Sequence, residues 1–108
     1  MKAHDLYGYS KNNIEAIREA IERTFGIKME HHESSFHGDY YVYRFGASDG
    51  EQLMLKFNLD PIDKKPVESK FPEAFVLLYV NNTERAKKIE AILGQNVPEL
   101  KILNRGFA

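Results

Sequence analysis

Apolar and polar positions along this chain repeat with two different periods. Between residues 11 and 25, Ile14, Ile17, Ile21 and Phe25 recur at steps of three and four, with Ala20 beside them. Glu15, Arg18, Glu19, Glu22 and Arg23 fill the remaining positions, so the segment predicts an amphipathic helix with one buried stripe. Asn12 followed three residues later by Glu15 fits a capping box, and Gly26 fits the residue at which such a helix stops. A second helix is expected around Ala86, Ile89, Ile92 and Leu93, capped by Thr83 and ended by Gly94.

Elsewhere the period is two. Ile27, Met29 and His31 alternate with Lys28, Glu30 and His32 over residues 27–33. Tyr40-Tyr41-Val42-Tyr43-Arg44-Phe45 is a β-branched and aromatic run, and Leu53, Leu55, Phe57 and Leu59 alternate with Gln52, Met54, Lys56 and Asn58. The third of these strands is expected to have one wet face. Residues 74–80 are apolar on both faces, as a central strand requires, and 100–103 suggest a short last strand. Turns fall at Ser34 to Asp39 and at Gly46 to Gly50, where Asp49-Gly50 suits positive φ. Asp60 to Pro72 holds Pro61, Pro66 and Pro72 and reads as a long loop. The order is α-β-β-β-β-α-β. It predicts an α+β fold in one domain over residues 1–108: an antiparallel sheet of four to five strands with two helices packed on it.

Composition narrows the function. A chain of 108 residues can bury a core without a staple, and it contains no cysteine. Thiol nucleophiles, disulfides, iron–sulfur clusters and cysteine-based zinc sites are therefore excluded. Residues 1–10 lack the apolar core of a secretory signal, and no apolar run approaches the roughly 20 residues that span a bilayer. A cytoplasmic protein without a membrane partner is expected. The net charge is −1, and basic residues neither cluster nor interleave with aromatics, so nucleic acid is not an expected partner. The charge is uneven: residues 30–73 carry net −4, while the segments before and after are net +1 and +2.

Catalytic motifs are sparse. No G-x-S-x-G elbow, P-loop or G-x-G-x-x-G is present. The densest polar cluster runs from His31 to Asp39, where His31, His37 and Asp39 could meet across a turn and hold a metal ion. Adjacent His31 and His32 point to opposite faces of a strand and cannot share one ion. An ordinary polar hairpin end explains the same residues. In the aromatic run, Tyr41, Tyr43 and Phe45 share one face. If that face is core, Tyr40 and Arg44 are displayed, and both are residue types that anchor interfaces.

Three segments carry a family likeness. They are Ala3-His4-Asp5-Leu6-Tyr7-Gly8-Tyr9-Ser10, the turn His32-Glu33-Ser34-Ser35-Phe36-His37-Gly38-Asp39-Tyr40-Tyr41, and Asn81-Asn82-Thr83 before the last helix. With them the chain resembles small bacterial immunity proteins, in particular those of contact-dependent growth inhibition systems. The resemblance implies a non-catalytic cytoplasmic protein that binds the toxin domain of a cognate effector, often a nuclease, in a 1:1 complex and without a cofactor. It transfers no contact residue by position. An acidic inhibitor surface suits a basic nuclease cleft, which makes Glu33, Asp39, Tyr40, Asp49, Glu51, Asp60 and Asp63 the candidate contacts. Two other readings stand beside it: a small metal-dependent enzyme using His31, His37 and Asp39, and a self-associating regulatory domain using an exposed sheet edge.

Overall fold

Among the described residues, six strands and two helices follow the order β1 (Ala3–Tyr9), α1 (Ile14–Phe25), β2 (Glu30–Ser34), β3 (Gly38–Arg44), β4 (Gln52–Phe57), β5 (Val76–Thr83), α2 (Ala86–Asn96), β6 (Lys101–Phe107). The computed structural model describes residues 2–46 and 50–107. All strand pairs are antiparallel, and the sheet order is β2-β3-β4-β5-β1-β6. The α+β class and the antiparallel sheet are as expected, with six strands instead of four to five.

The added strand is β1. It lies inside the sheet between β5 and β6. Its sequence hides it, because Asp5, Leu6, Tyr7 and Gly8 are all buried and no alternation survives. Asp5 can occupy this position because Arg105 of β6 donates to both of its carboxylate oxygens at 2.8 Å, and Arg105 also reaches Glu90 of α2 at 2.8 Å. A buried carboxylate needs such a partner.

Both helices pack on one face of the sheet. Ile14, Ile17 and Ile21 of α1 and Ile89 and Leu93 of α2 form a single core with Tyr7, Leu53, Leu55, Leu78 and Val80. Tyr41, Tyr43 and Phe45 face the same way and pack at its margin. The α1 cap is Asn13, one residue later than expected, and its Oδ1 accepts from Ala16 N at 3.2 Å. Gly26 ends the helix at φ 64°, a left-handed conformation that glycine adopts freely. Thr83 does not cap α2. It closes β5, accepts from Arg85 N at 3.1 Å and donates to Glu51, so α2 starts at Ala86 without a side-chain cap. Gly94 sits within α2, which runs on to Asn96.

The opposite face is covered by the proline-rich segment. Leu6, Ala74 and Leu77 form a second, smaller core with Phe71, Tyr79 and Leu103. Asn58 fixes the cover. Its Nδ2 donates to Phe71 O and Ala74 O at 2.9 Å, and its Oδ1 accepts from Glu68 N at 2.9 Å. Lys56 and Asn58 are therefore buried, and the wet face expected for β4 is dry at that end.

Candidate partner-binding surface

β2 and β3 form a hairpin whose register sets Glu33 opposite Asp39 and His32 opposite Tyr40. Gly38 makes the turn possible with φ 68°, and Ser34 Oγ accepts from His37 N at 2.9 Å to close it. Two carboxylates placed directly opposite each other on an exposed hairpin repel. His31 Nε2, at 3.1 Å from Asp39 Oδ1, offsets part of that cost. On the other face His32 stacks on Tyr40 with ring centroids 5.5 Å apart, and His37 meets the same ring edge-on at 5.3 Å. Tyr40 is thus half-buried within an imidazole cluster, while Arg44 is exposed.

The loop after β4 abuts this turn. At the end of β4, Lys56 Nζ lies 3.0 Å from His37 Nδ1. A Cβ on Gly38 would stand 4.0 Å from Pro61 Cβ, which is ordinary contact. The loop folds on itself. Asp60 Oδ1 accepts from Ile62 N at 2.8 Å, Asp63 Oδ1 accepts from Lys65 N at 2.9 Å, and Lys64 takes a left-handed φ of 63°. Each carboxylate thereby anchors the backbone while its charge stays near the surface.

Of the seven residues proposed from sequence, Glu33, Asp39, Tyr40, Asp60 and Asp63 come to this end of the sheet. Glu51 does not. It lies at the other end of β4, a strand of six residues spanning roughly 17 Å. There its carboxylate accepts from Arg85 at 2.6 to 3.1 Å and from Thr83 at 2.6 Å. Burial pushes the Glu51 carboxyl up, but the bonds from Arg85 and Thr83 outweigh it and hold the group below its ordinary value. Arg85 also stacks over Phe45, 5.1 Å from the ring centroid. This carboxylate ties β4 to the start of α2. Asp49 falls outside the described residues.

The three metal-ligand candidates are separated. His31 and Asp39 meet on the helix side of the hairpin, but His37 turns to Lys56. Among the described residues no group of three His, Asp or Glu side chains is placed to hold a metal ion.

Sequence reasoning missed the residues that organise this end. Lys56 is 2% exposed and bonds to His37, and alternation alone assigned it to solvent. Phe36 and Ile62 were not candidates, although each is a lone large apolar residue inside a polar turn or loop, which is the signal that could have found them. No protein-family model matches the chain, and no curated protein matches it.

Proposed function

We propose that this protein is a toxin-neutralising immunity protein. Its partner is the toxin domain of a cognate contact-dependent growth inhibition effector, a basic-clefted nuclease of the RNase type, bound in a 1:1 complex. The observation that carries the reading is that the hairpin bearing Glu33 and Asp39 lies beside the loop bearing Asp60 and Asp63, more than twenty residues later in sequence, with Gly38 facing Pro61. Glu33 directly opposite Asp39 costs stability through mutual repulsion. The cost has a use if the surface meets a cationic cleft. Acidic groups there speed encounter and compete with the phosphates that such a cleft binds.

The test is rescue. Cells producing the C-terminal domain of an effector encoded immediately upstream should regain growth when this protein is co-expressed, and the two chains should co-purify at equal stoichiometry. Association should slow as salt is added, because steering by exposed charges is screened. Absence of both rescue and complex would overturn the reading.

A further inference from the structure

Among the described residues, seven large apolar side chains are exposed, and four of them lie in the β2–β3 turn or in residues 59–67 of the loop after β4: Phe36, Leu59, Ile62 and Val67. Phe36 is 75% exposed and Ile62 is 70% exposed. Single exposed apolar residues are ordinary, but four on two stitched segments are not. The stitching is explicit. His37, next to Phe36, bonds to Lys56 of β4, the strand that leads into the loop, and Gly38 faces Pro61, next to Ile62, so closely that a Cβ on the glycine would lie 4.0 Å from the proline. Val67 is joined to the Leu59 end of the loop through the bond from Glu68 N to Asn58.

We infer that Phe36 and Ile62 are the affinity-determining anchors of the protein's partner surface, inserted into an apolar pocket whose margin is basic. The inference rests on the immunity reading above and adds to it the residues that hold the partner once it has arrived. Charge identifies the margin. Glu33 and Asp39 lie at the two ends of the turn that carries Phe36, and Asp60 and Asp63 flank Ile62 in the loop, where Lys64, Lys65 and Lys70 are the cations. Lys64 is partly withdrawn, since its ammonium folds back onto Pro61 O at 2.9 Å. Interfaces divide their labour in this way: central desolvated side chains set dissociation, and rim charges set association. The anchors are held ready for the role. Ser34 fixes the turn under Phe36, and Asp60 fixes the backbone of Ile62 itself. Little ordering is left to be done on binding.

Phe36→Ser and Ile62→Ser test the assignment in the complex with the upstream-encoded toxin domain, by association and dissociation rates measured separately. Both side chains are exposed, so each variant should keep the wild-type melting temperature. Each should dissociate at least about 10-fold faster with its association rate changed less than about 3-fold. Asp60→Asn and Asp63→Asn together should show the reverse, a slower association with little change in dissociation. If the wild-type complex forms and both serine variants dissociate at the wild-type rate, the anchor assignment is overturned and the immunity reading stands. If the wild-type protein forms no complex, both fall. If it instead dimerises through Phe36 and Ile62, shown by a monomeric Phe36→Ser variant, the surface belongs to a second copy and the assignment is overturned.

Discussion

Lys56 Nζ lies 3.0 Å from Nδ1 of His37, and among the described residues no carboxylate comes within ion-pairing distance of that ammonium. An ammonium can only donate, so His37 must accept and must be neutral to do so. Burial, and then the charge on Lys56, push the His37 imidazole below its ordinary value of 6.5. A base with a lowered folded pKa stabilises the fold above its unfolded pKa. That contribution is lost as pH falls through the folded value. Stability should therefore decline between about pH 7.5 and about pH 5.5, a window above the ordinary carboxylate range. His37→Gln, which keeps an acceptor but does not titrate, should flatten part of that decline in urea denaturation at the two pH values. An unchanged slope in His37→Gln would show that His37 does not contribute to it.

The same pair makes a second prediction from the lysine side. Burial lowers the Lys56 amine, and the more distant Asp60 and Glu68 carboxylates raise it only in part. A charge kept dry without a close counter-ion costs stability at neutral pH. Lys56→Met preserves length and most of the volume while removing that cost. It should stabilise the protein by about 1 kcal/mol, a rise in melting temperature of about 4 °C or more for a chain of this size. A lower melting temperature would show that the bond to His37 outweighs the desolvation it requires. If stability rises while the β2–β3 turn becomes more open to hydrogen exchange, Lys56 is maintained for the shape of that turn.

The contrast between β4 and β1 shows how far the sequence could be read. Alternation found β4 because its helix-side positions, Leu53, Leu55 and Phe57, are apolar and every second residue is polar or flexible. It then misjudged Lys56 and Asn58, since burial of that face depends on a loop whose path no local pattern encodes. β1 was invisible for a related reason. Its central position buries both faces, and its polar members are satisfied by residues about a hundred positions away, as Asp5 is by Arg105. The candidate surface divides along the same line. Its acidic residues were legible as a charge imbalance over residues 30–73, whereas Glu51 belongs to that segment by sequence and to an internal ion pair by geometry.

Arg105 should be one of the most sensitive positions in the chain. Its guanidinium joins Asp5 of β1, whose side chain is fully buried, to Glu90 of α2. Burial pushes the neighbouring Tyr7 hydroxyl up to about 12, with the Asp5 and Glu90 charges adding to the effect, so Tyr7 cannot share the load as an anion. Arg105→Met leaves the Asp5 carboxylate dry and unpaired, and should cost about 3–5 kcal/mol. Adding Asp5→Asn removes the stranded charge and should recover part of the loss. Urea denaturation of the two single variants and the double variant measures the coupling. Additive losses would mean that the pair does not act as a unit.

Gly8 tests the second core in the same way. It lies in β1 between Leu77 of β5 and Lys101 of β6. A Cβ built there would stand 2.7 Å from Leu103 Cδ1 and 3.1 Å from Ala74 Cβ. Leu103 cannot clear the new methyl by moving one carbon, since its Cγ would also lie 3.3 Å away and the side chain is packed in the second core, and the alanine Cβ moves only with its backbone, which Phe71 O holds through Ala74 N at 3.1 Å. Gly8→Ala should therefore destabilise by about 1–3 kcal/mol, as overpacking a filled site does. Leu103→Ala removes the nearer obstacle and leaves a cavity that the new methyl partly fills. In that background Gly8→Ala should cost at least about 1 kcal/mol less than it does alone. Equal costs in the two backgrounds would show that the Ala74 contact, and not Leu103, sets the limit at this position.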